Sequence, residues 1–227
     1  MKYSLWLCIA WIGISSANAQ KIVEKHMDFS QKKLVVLNIQ IADSIQIHTW
    51  NKNEVYIKTS IDVNDNKDND LYKMVFGDSG NTVGVVAKLD YEKARKNAGD
   101  SGCCCNGVQI HGDYNCMRAH VFCDVYLPEN ADLSVETINA NIIIAGRTAG
   151  IRAHTISGFV DLTVAPDWRA DLKMSTITGT VYTNMVMNIP AGSSHAAGSR
   201  IINPVNGGGK PVDLETISGN IFLRKAE

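Results

Sequence analysis

The sequence predicts an all-β chain wound into stacked coils of about 20 residues, and two observations carry that prediction. The first is a repeat: Thr137-Ile138-Asn139-Ala140, Thr155-Ile156-Ser157-Gly158, Thr176-Ile177-Thr178-Gly179 and Thr216-Ile217-Ser218-Gly219 superimpose on one template. Their last residues are spaced by 18, 21 and 40 positions, the last gap being about twice the others. The second is an alternation of apolar and polar residues around every copy, the period of a strand with one buried face. A segment of this kind cannot bury its apolar face alone and does so against its neighbours, which is the logic of a solenoid.

Alignment on the last residue of each copy separates inside from outside. Seven positions earlier stand Leu133, Ile151, Leu172 and Val212; five earlier, Val135, Ala153, Met174 and Leu214; three earlier, always Thr. Two positions later stand Ile142, Val160, Val181 and Ile221, and four later Ile144, Leu162, Thr183 and Leu223. The buried parity changes between the Thr and the Ile, and a strand changes faces only at a bend or bulge. The expectation is a corner at which both Thr and Ile turn inward, with Gly just beyond it where coils approach closely. Stacking in register would put Ile138, Ile156, Ile177 and Ile217 in one file, with neighbours about 4.8 Å apart. The 40-residue gap is expected to hide one further, irregular coil with Gly198 at its corner and a loop at 206–210.

The first half is patterned more loosely. Alternation from Leu34 to Thr59 predicts short strands, interrupted by turns at Ala42-Asp43-Ser44 and Asn51-Lys52-Asn53. Strand pattern returns at 83–89 and 119–127, and Pro128-Glu129-Asn130 leads into the repeats. Residues 90–118, rich in charge, Gly and Cys, read as a loop insertion. The predicted organisation is a leader at 1–19 and one solenoid domain at 20–227, with N-terminal strands to 127 and regular repeats over 128–227.

Residues 1–19 have the form of an export signal: Lys2, an apolar run from Leu5 to Ile14, and Ala17-Asn18-Ala19 before Gln20. The run is short for a membrane span, and no later segment offers about 20 consecutive apolar residues. The expected location is therefore outside the cytoplasm: periplasmic, cell-surface or secreted. A formal net charge of −1 gives no reason to expect a nucleic-acid partner, which would favour a basic face. In an oxidising compartment Cys103, Cys104, Cys105, Cys116 and Cys123 are disulfide candidates, with one thiol left over. A metal reading of these cysteines with His111 and His120 is weaker, because three adjacent Cys do not readily reach one tetrahedral ion.

The Ala-Asp-Ser-Ile-Gln-Ile segment at 42–47, the Tyr126-Leu127-Pro128-Glu129-Asn130-Ala131 entry and the Thr-Ile-Ser-Gly repeats resemble the putative-adhesin family of exported bacterial β-strand-repeat proteins. The likeness is strongest over 125–227 and weakest over the cysteine-rich stretch. It implies a right-handed β-helix-like solenoid in a cell-envelope setting, and it brings no catalytic residues with it.

Three groups of residues are candidates for chemistry. Asp62, Asn64, Asn66, Asp68 and Asp70 resemble the opening of a calcium loop, but Lys67 replaces the sharp-turn Gly and Lys73 the bidentate Glu, so a solvated turn is the simpler reading. Phe159, Tyr182 and Phe222 fall at outward positions after the corners, where they would form an aromatic platform or pack beneath a loop. Outward columns pair Glu136 with His154 and set Arg152 beside Lys173, while His26, His48, His111, His120 and His195 read as scattered surface residues. No His-Glu-x-x-His, Gly-x-Ser-x-Gly, phosphate-loop or Cys-x-x-Cys motif is present. The expected function is a non-enzymatic envelope or surface protein that binds a glycan or protein and needs no cofactor. A polysaccharide-cleaving β-helix enzyme with its cleft against the 90–118 loop, and an envelope-sensing structural module, are the alternatives.

Overall fold

The structure, a computed structural model, describes residues 20–97, 117–187 and 198–226. Its strands are β1 Lys21–Asp28, β2 Leu34–Ile39, β3 Ile41–Trp50, β4 Glu54–Val63, β5 Tyr72–Ser79 and β6 Thr82–Leu89, followed by helix α1 Tyr91–Asn97. Then come β7 Ala119–Pro128, β8 Asp132–Ala145, β9 Ile151–Ser157, β10 Val160–Val164, β11 Ala170–Thr176, β12 Val181–Thr183, β13 Ser199–Val205, β14 Lys210–Ser218 and β15 Ile221–Lys225. All fifteen strands join one open sheet that does not close into a barrel.

Strand β8 is where the sheet divides. Residues 132–136 pair in parallel with β2, and 139–145 pair in parallel with β3. Two legs therefore leave the same strand. The first leg runs β5-β6-β2-β8-β9-β14-β11-β13, and the second β1-β4-β7-β3-β8-β10-β15-β12. Inward residues of both legs, from Met27 to Leu223, form one hydrophobic cluster. Leu133, Val135 and Thr137 are buried on one side of the bend and Ala140, Ile142 and Ile144 on the other, so the parity change read from the sequence is present.

At the corner itself the expectation needs correcting. Thr137, Thr155, Thr176 and Thr216 are all buried, but Ile138, Ile156 and Ile177 are 49%, 40% and 53% exposed and Ile217 is half-buried. The four Ile do share a file, since Thr137, Thr155, Thr216 and Thr176 are in register across β8, β9, β14 and β11. They point outward because the hydroxyls have work inside. Each Thr Oγ1 donates to a carbonyl at the neighbouring corner: Thr137 to Gln40 at 3.3 Å, Thr155 to Ala140 at 3.1 Å, Thr216 to Gly158 at 2.9 Å and Thr176 to Gly219 at 2.8 Å. A buried hydroxyl without a partner is costly, and the corner carbonyls supply one at each position; that of Gln40 also accepts from the Ile138 and Asn139 N–H groups. The same stacking explains the corner Gly: a Cβ on Gly158, Gly219 or Gly179 would overlap the carbonyl of Ala140, Gly158 or Gly219 respectively.

The order of stacking departs from the order of the chain. Strand β14, the last copy of the repeat, lies between β9 and β11, and β15 lies between β10 and β12. The further coil expected around Gly198 is instead β13, antiparallel to β11 along its free edge. Asn206, Gly207 and Gly208 then turn with positive φ, and Gly209 packs so closely on the Arg169 carbonyl that only Gly fits. The turn carries the chain across the start of β11 to its other side. Residues 188–197, which lead into β13, lie outside the described residues.

Three smaller corrections concern the first half. Residues 42–44 are not a turn between strands: β3 begins at Ile41 and shifts register between Ile41 and Ser44, forming the corner of the coil that precedes β8. The insertion at 90–118 opens with α1, whose start is capped by Asp90 Oδ1 accepting from the Lys93 N–H at 3.0 Å. Cys123 is no disulfide partner. It is a free thiol buried between the legs, accepting a hydrogen bond from Thr59 Oγ1 at 3.3 Å, and burial pushes its pKa up to about 12. Cys103, Cys104, Cys105 and Cys116 lie outside the described residues.

Candidate functional site

Alternation turns every second residue of the second leg outward, and several of those residues are rings. Register sets His26 of β1 opposite Tyr56 of β4, Tyr56 opposite Tyr126 of β7, and Tyr126 opposite His48 of β3. The row is continuous: ring centroids are 4.5 Å apart for His26 and Tyr56, 6.0 Å for Tyr56 and Tyr126, and 5.0 Å for His48 and Tyr126. Trp50 joins from β3 at 5.3 Å from Tyr126 and 6.3 Å from Tyr56. Cross-strand aromatic pairs of this kind stabilise an exposed sheet face.

The loop that carries the chain from β3 past β7 to β4 fixes one end of this row. Trp50 Nε1 donates to the Glu54 carbonyl at 2.8 Å, and the Phe29 N–H donates to the Asn53 carbonyl at 3.0 Å. Lys52 Nζ lies 4.4 Å from the Trp50 ring centroid and 3.6 Å from Glu54 Oε1, while His26 Nδ1 is 3.2 Å from Glu54 Oε2. Between this loop and the end of β1 lies an open depression of about 410 Å³, lined by His26, Met27, Asp28, Lys52, Asn53 and Glu54. Hydrogen bonds from the Ser30 hydroxyl, at 2.6 Å, and from its N–H hold the Asp28 carboxyl below its usual range. Desolvation, and then the charge of Glu24, raise the pKa of Tyr56, keeping the phenol a neutral donor.

A second group of rings sits at the other end of the same face. Phe159, Tyr182 and Phe222, singled out from the sequence, do come together: Tyr182 stacks on Phe222 at 5.3 Å and Phe159 meets Phe222 edge-on at 5.9 Å. Arg224 lies over Phe222 at 5.2 Å and bonds Asp161 at 2.9 Å. Burial raises the pKa of Asp161 against the opposing pull of Arg224.

The first leg carries charge instead. Glu136, His154 and Glu215 are successive partners across β8, β9 and β14. Arg152 and Lys173 are not neighbours as expected; the displaced β14 puts Asp213 between them, 2.7 Å from Lys173 Nζ.

The 62–70 loop uses its oxygens on itself. Asn64, Asp65 and Asn66 have positive φ, Asp62 Oδ1 accepts from the Asn66 N–H at 2.8 Å, Asn64 Nδ2 donates to Asp68 Oδ2 at 2.7 Å, and Asp70 pairs with Lys21 at 2.7 Å. Among the described residues no three His, Cys, Asp or Glu side chains gather as a metal site.

His26, His48, Trp50, Tyr56 and Tyr126 are the residues that sequence reasoning missed. His48, Trp50, Tyr56 and Tyr126 stand in segments read as strands from their alternation, whereas the strand that carries His26 was not read from the sequence. That Tyr56 and Tyr126 face each other was not legible, because β4 and β7 pair across the whole 64–118 excursion.

No family model matches the chain, and no curated protein matches it. Among solved structures, a putative cell adhesion protein from Clostridium sporogenes matches with a TM-score of 0.53 at 10% identity, over 92% of this chain and 100% of that one. The likeness is one of fold. A putative adhesin from Bacteroides fragilis aligns over 92% of this chain and 99% of its own at 7% identity and a TM-score of 0.20. One from Parabacteroides distasonis aligns over 92% and 98% at 7% identity and a TM-score of 0.22. Among the described residues no helix is long and apolar enough to cross a membrane.

Proposed function

We propose that this chain is an exported, non-enzymatic adhesin-like protein, a right-handed β-solenoid of about 20 residues per coil that offers one ring-bearing face to a partner at the cell surface. Residues 1–19 serve as the leader. With Cys123 in the core, the remaining Cys103, Cys104, Cys105 and Cys116 are even in number and pair within the insertion. The observation that carries the reading is the outer face of the second leg, where two separate groups of stacked rings are held on regular strands. A large aromatic surface on a rigid sheet is the composition of a binding face. The fold shared with a putative cell adhesion protein of Clostridium sporogenes agrees with it.

Beads coated with residues 20–227 test this. They should adhere to mucin, matrix protein or bacterial envelope, and Tyr126→Ala combined with Tyr182→Ala should abolish adhesion. Beads that adhere to none of these surfaces would overturn the reading.

One observation favours the enzyme alternative. The displaced β14 brings Asp213 between Arg152 and Lys173 and Glu215 beside His154, so acids and bases do gather on one outward face. That reading predicts new reducing ends after incubation with polysaccharides, lost in Asp213→Asn; their absence removes it.

A further inference from the structure

We propose that the depression between the end of β1 and the β3–β4 loop, with Trp50 and the ring row at its side, is a binding site for a neutral oligosaccharide. The assignment deepens the adhesin-like reading and rests on it for the biological source of the sugar. A sugar ring presents two chemistries at once: an apolar face of C–H groups, and a rim of hydroxyls that each donate and accept. A site for it therefore needs an aromatic surface beside a few fixed groups of both polarities.

The depression supplies the polar groups, and the Trp50 ring beside it, reached through Lys52 and Glu54, supplies the aromatic surface. Its volume of about 410 Å³ falls within the range of small-ligand sites, and Met27 is the apolar member of its lining. With it stand acceptors, the Glu54 and Asp28 carboxylates; donors, the Lys52 ammonium and the Asn53 amide; and His26, which does either. The Trp50 indole is anchored by its bond to the Glu54 carbonyl, and the β3–β4 loop by the bond from Phe29 to Asn53. Little order remains to be imposed on binding. Lys52 lies over the Trp50 ring through an exposed contact that gives way cheaply to a sugar face.

Charge selects the class of sugar. Asp28 and Glu54 outnumber Lys52 in the lining, so a sulfated, phosphorylated or uronic chain meets net repulsion. A peptide strand adding to β1 meets Lys21, Glu24 and Lys25 along that edge, the charged pattern that guards edge strands. A neutral chain of hydroxylated rings is the occupant left.

Beyond the leader the chain has two Trp, buried Trp168 and half-buried Trp50, so intrinsic fluorescence reports this site. Neutral gluco-, galacto-, manno- and xylo-oligosaccharides are titrated into residues 20–227, with calorimetry alongside. At least one series should shift the emission and saturate. Glu54→Gln and Trp50→Ala should each weaken that affinity tenfold or more, and Ile202→Ala on the far leg should leave it unchanged. Should Trp50→Ala fail to fold by circular dichroism, Glu54→Gln at the start of β4 keeps the test. Failure of every neutral series to saturate, binding that survives Glu54→Gln, or preference for an acidic oligosaccharide overturns the proposal. Coated beads that adhere while no neutral sugar binds would remove this site and leave the adhesin-like reading standing. Sugar binding without adhesion would do the reverse.

Discussion

The two legs share corners and a common core, yet their outer faces differ in chemistry. On the first leg the residues that stack across strands are Glu136, His154 and Glu215 in one row and Arg152, Asp213 and Lys173 in the next. On the second leg they are His26, Tyr56, Tyr126 and His48 in one row, with Tyr182 and Phe222 in another. Opposite charges in register pair with one another, and an exposed pair of this kind contributes about 0–1 kcal/mol while staying hydrated. Rings in register also support one another, but they leave apolar area that water serves poorly and a partner can cover. The contrast is one of these central rows: Lys173 and Asp213 are the pair formed on the first leg, which also exposes Val75, Val86 and Ile202, while the second leg carries the Glu24–Lys58 and Asp161–Arg224 pairs beside its rings.

Both faces hang from one corner, so the harshest way to break the comparison is to damage what they share. Gly219→Ala drives a methyl into the Gly158 carbonyl, and the fold should lose about 3 kcal/mol by urea denaturation. Ala140→Gly, at the one corner already holding a Cβ, should cost about 1 kcal/mol or less. Equal effects at the two positions would show that carbonyl stacking does not hold the legs together.

Adjacent residues sharpen the same point. Thr155→Val keeps the shape but removes the donor to the Ala140 carbonyl, and should cost about 2 kcal/mol. Ile156→Ser, one residue on and pointing outward, should change stability by less than about 0.5 kcal/mol.

Alkali probes the space between the legs. Cys123 keeps its proton in the fold up to about pH 12, whereas the exposed thiol of the unfolded chain loses it near 9.0. Below pH 9 both states hold the proton and stability is unaffected; above it only the fold does, so stability falls as pH rises. Relative to neutral pH the loss should reach about 1.4 kcal/mol by pH 10, about 1 kcal/mol of it between pH 9 and 10, and Cys123→Ala should remove most of that slope. The native protein should also leave the Cys123 peptide unalkylated at pH 8 until denaturant is added.

The smallest effect belongs to the charged face. Lys173→Ala should cost no more than about 0.5 kcal/mol, since Asp213 and Lys173 are both more than a third exposed. A larger loss would mean that the charged rows support the sheet.

The corner shows how much the sequence can reveal. Four Thr-Ile copies and a parity change are local patterns, so the bend and the register of the repeats were readable. Which of two adjacent residues turned inward depended on carbonyls supplied by the neighbouring corner, a partner 15 to 97 residues away. Apolarity favoured Ile; the corner carbonyl favoured Thr, and the carbonyl won. The displacement of β14 was equally invisible, because the glycines at 207–209 read only as a loop, and what they do depends on β13 having already run back along β11. Phe159, Tyr182 and Phe222 could be found from the repeat that spaces them. Tyr56 and Tyr126 could not, since no repeat links their strands.

The contrast between the faces is tested most directly by adhesion of beads coated with two variants of residues 20–227, each shown to be folded. The account predicts that Tyr126→Ala with Tyr182→Ala loses at least tenfold in bound beads, while Arg152→Ala with Lys173→Ala binds as the parent does. Loss of adhesion in the charge variant, with the ring variant intact, would contradict it.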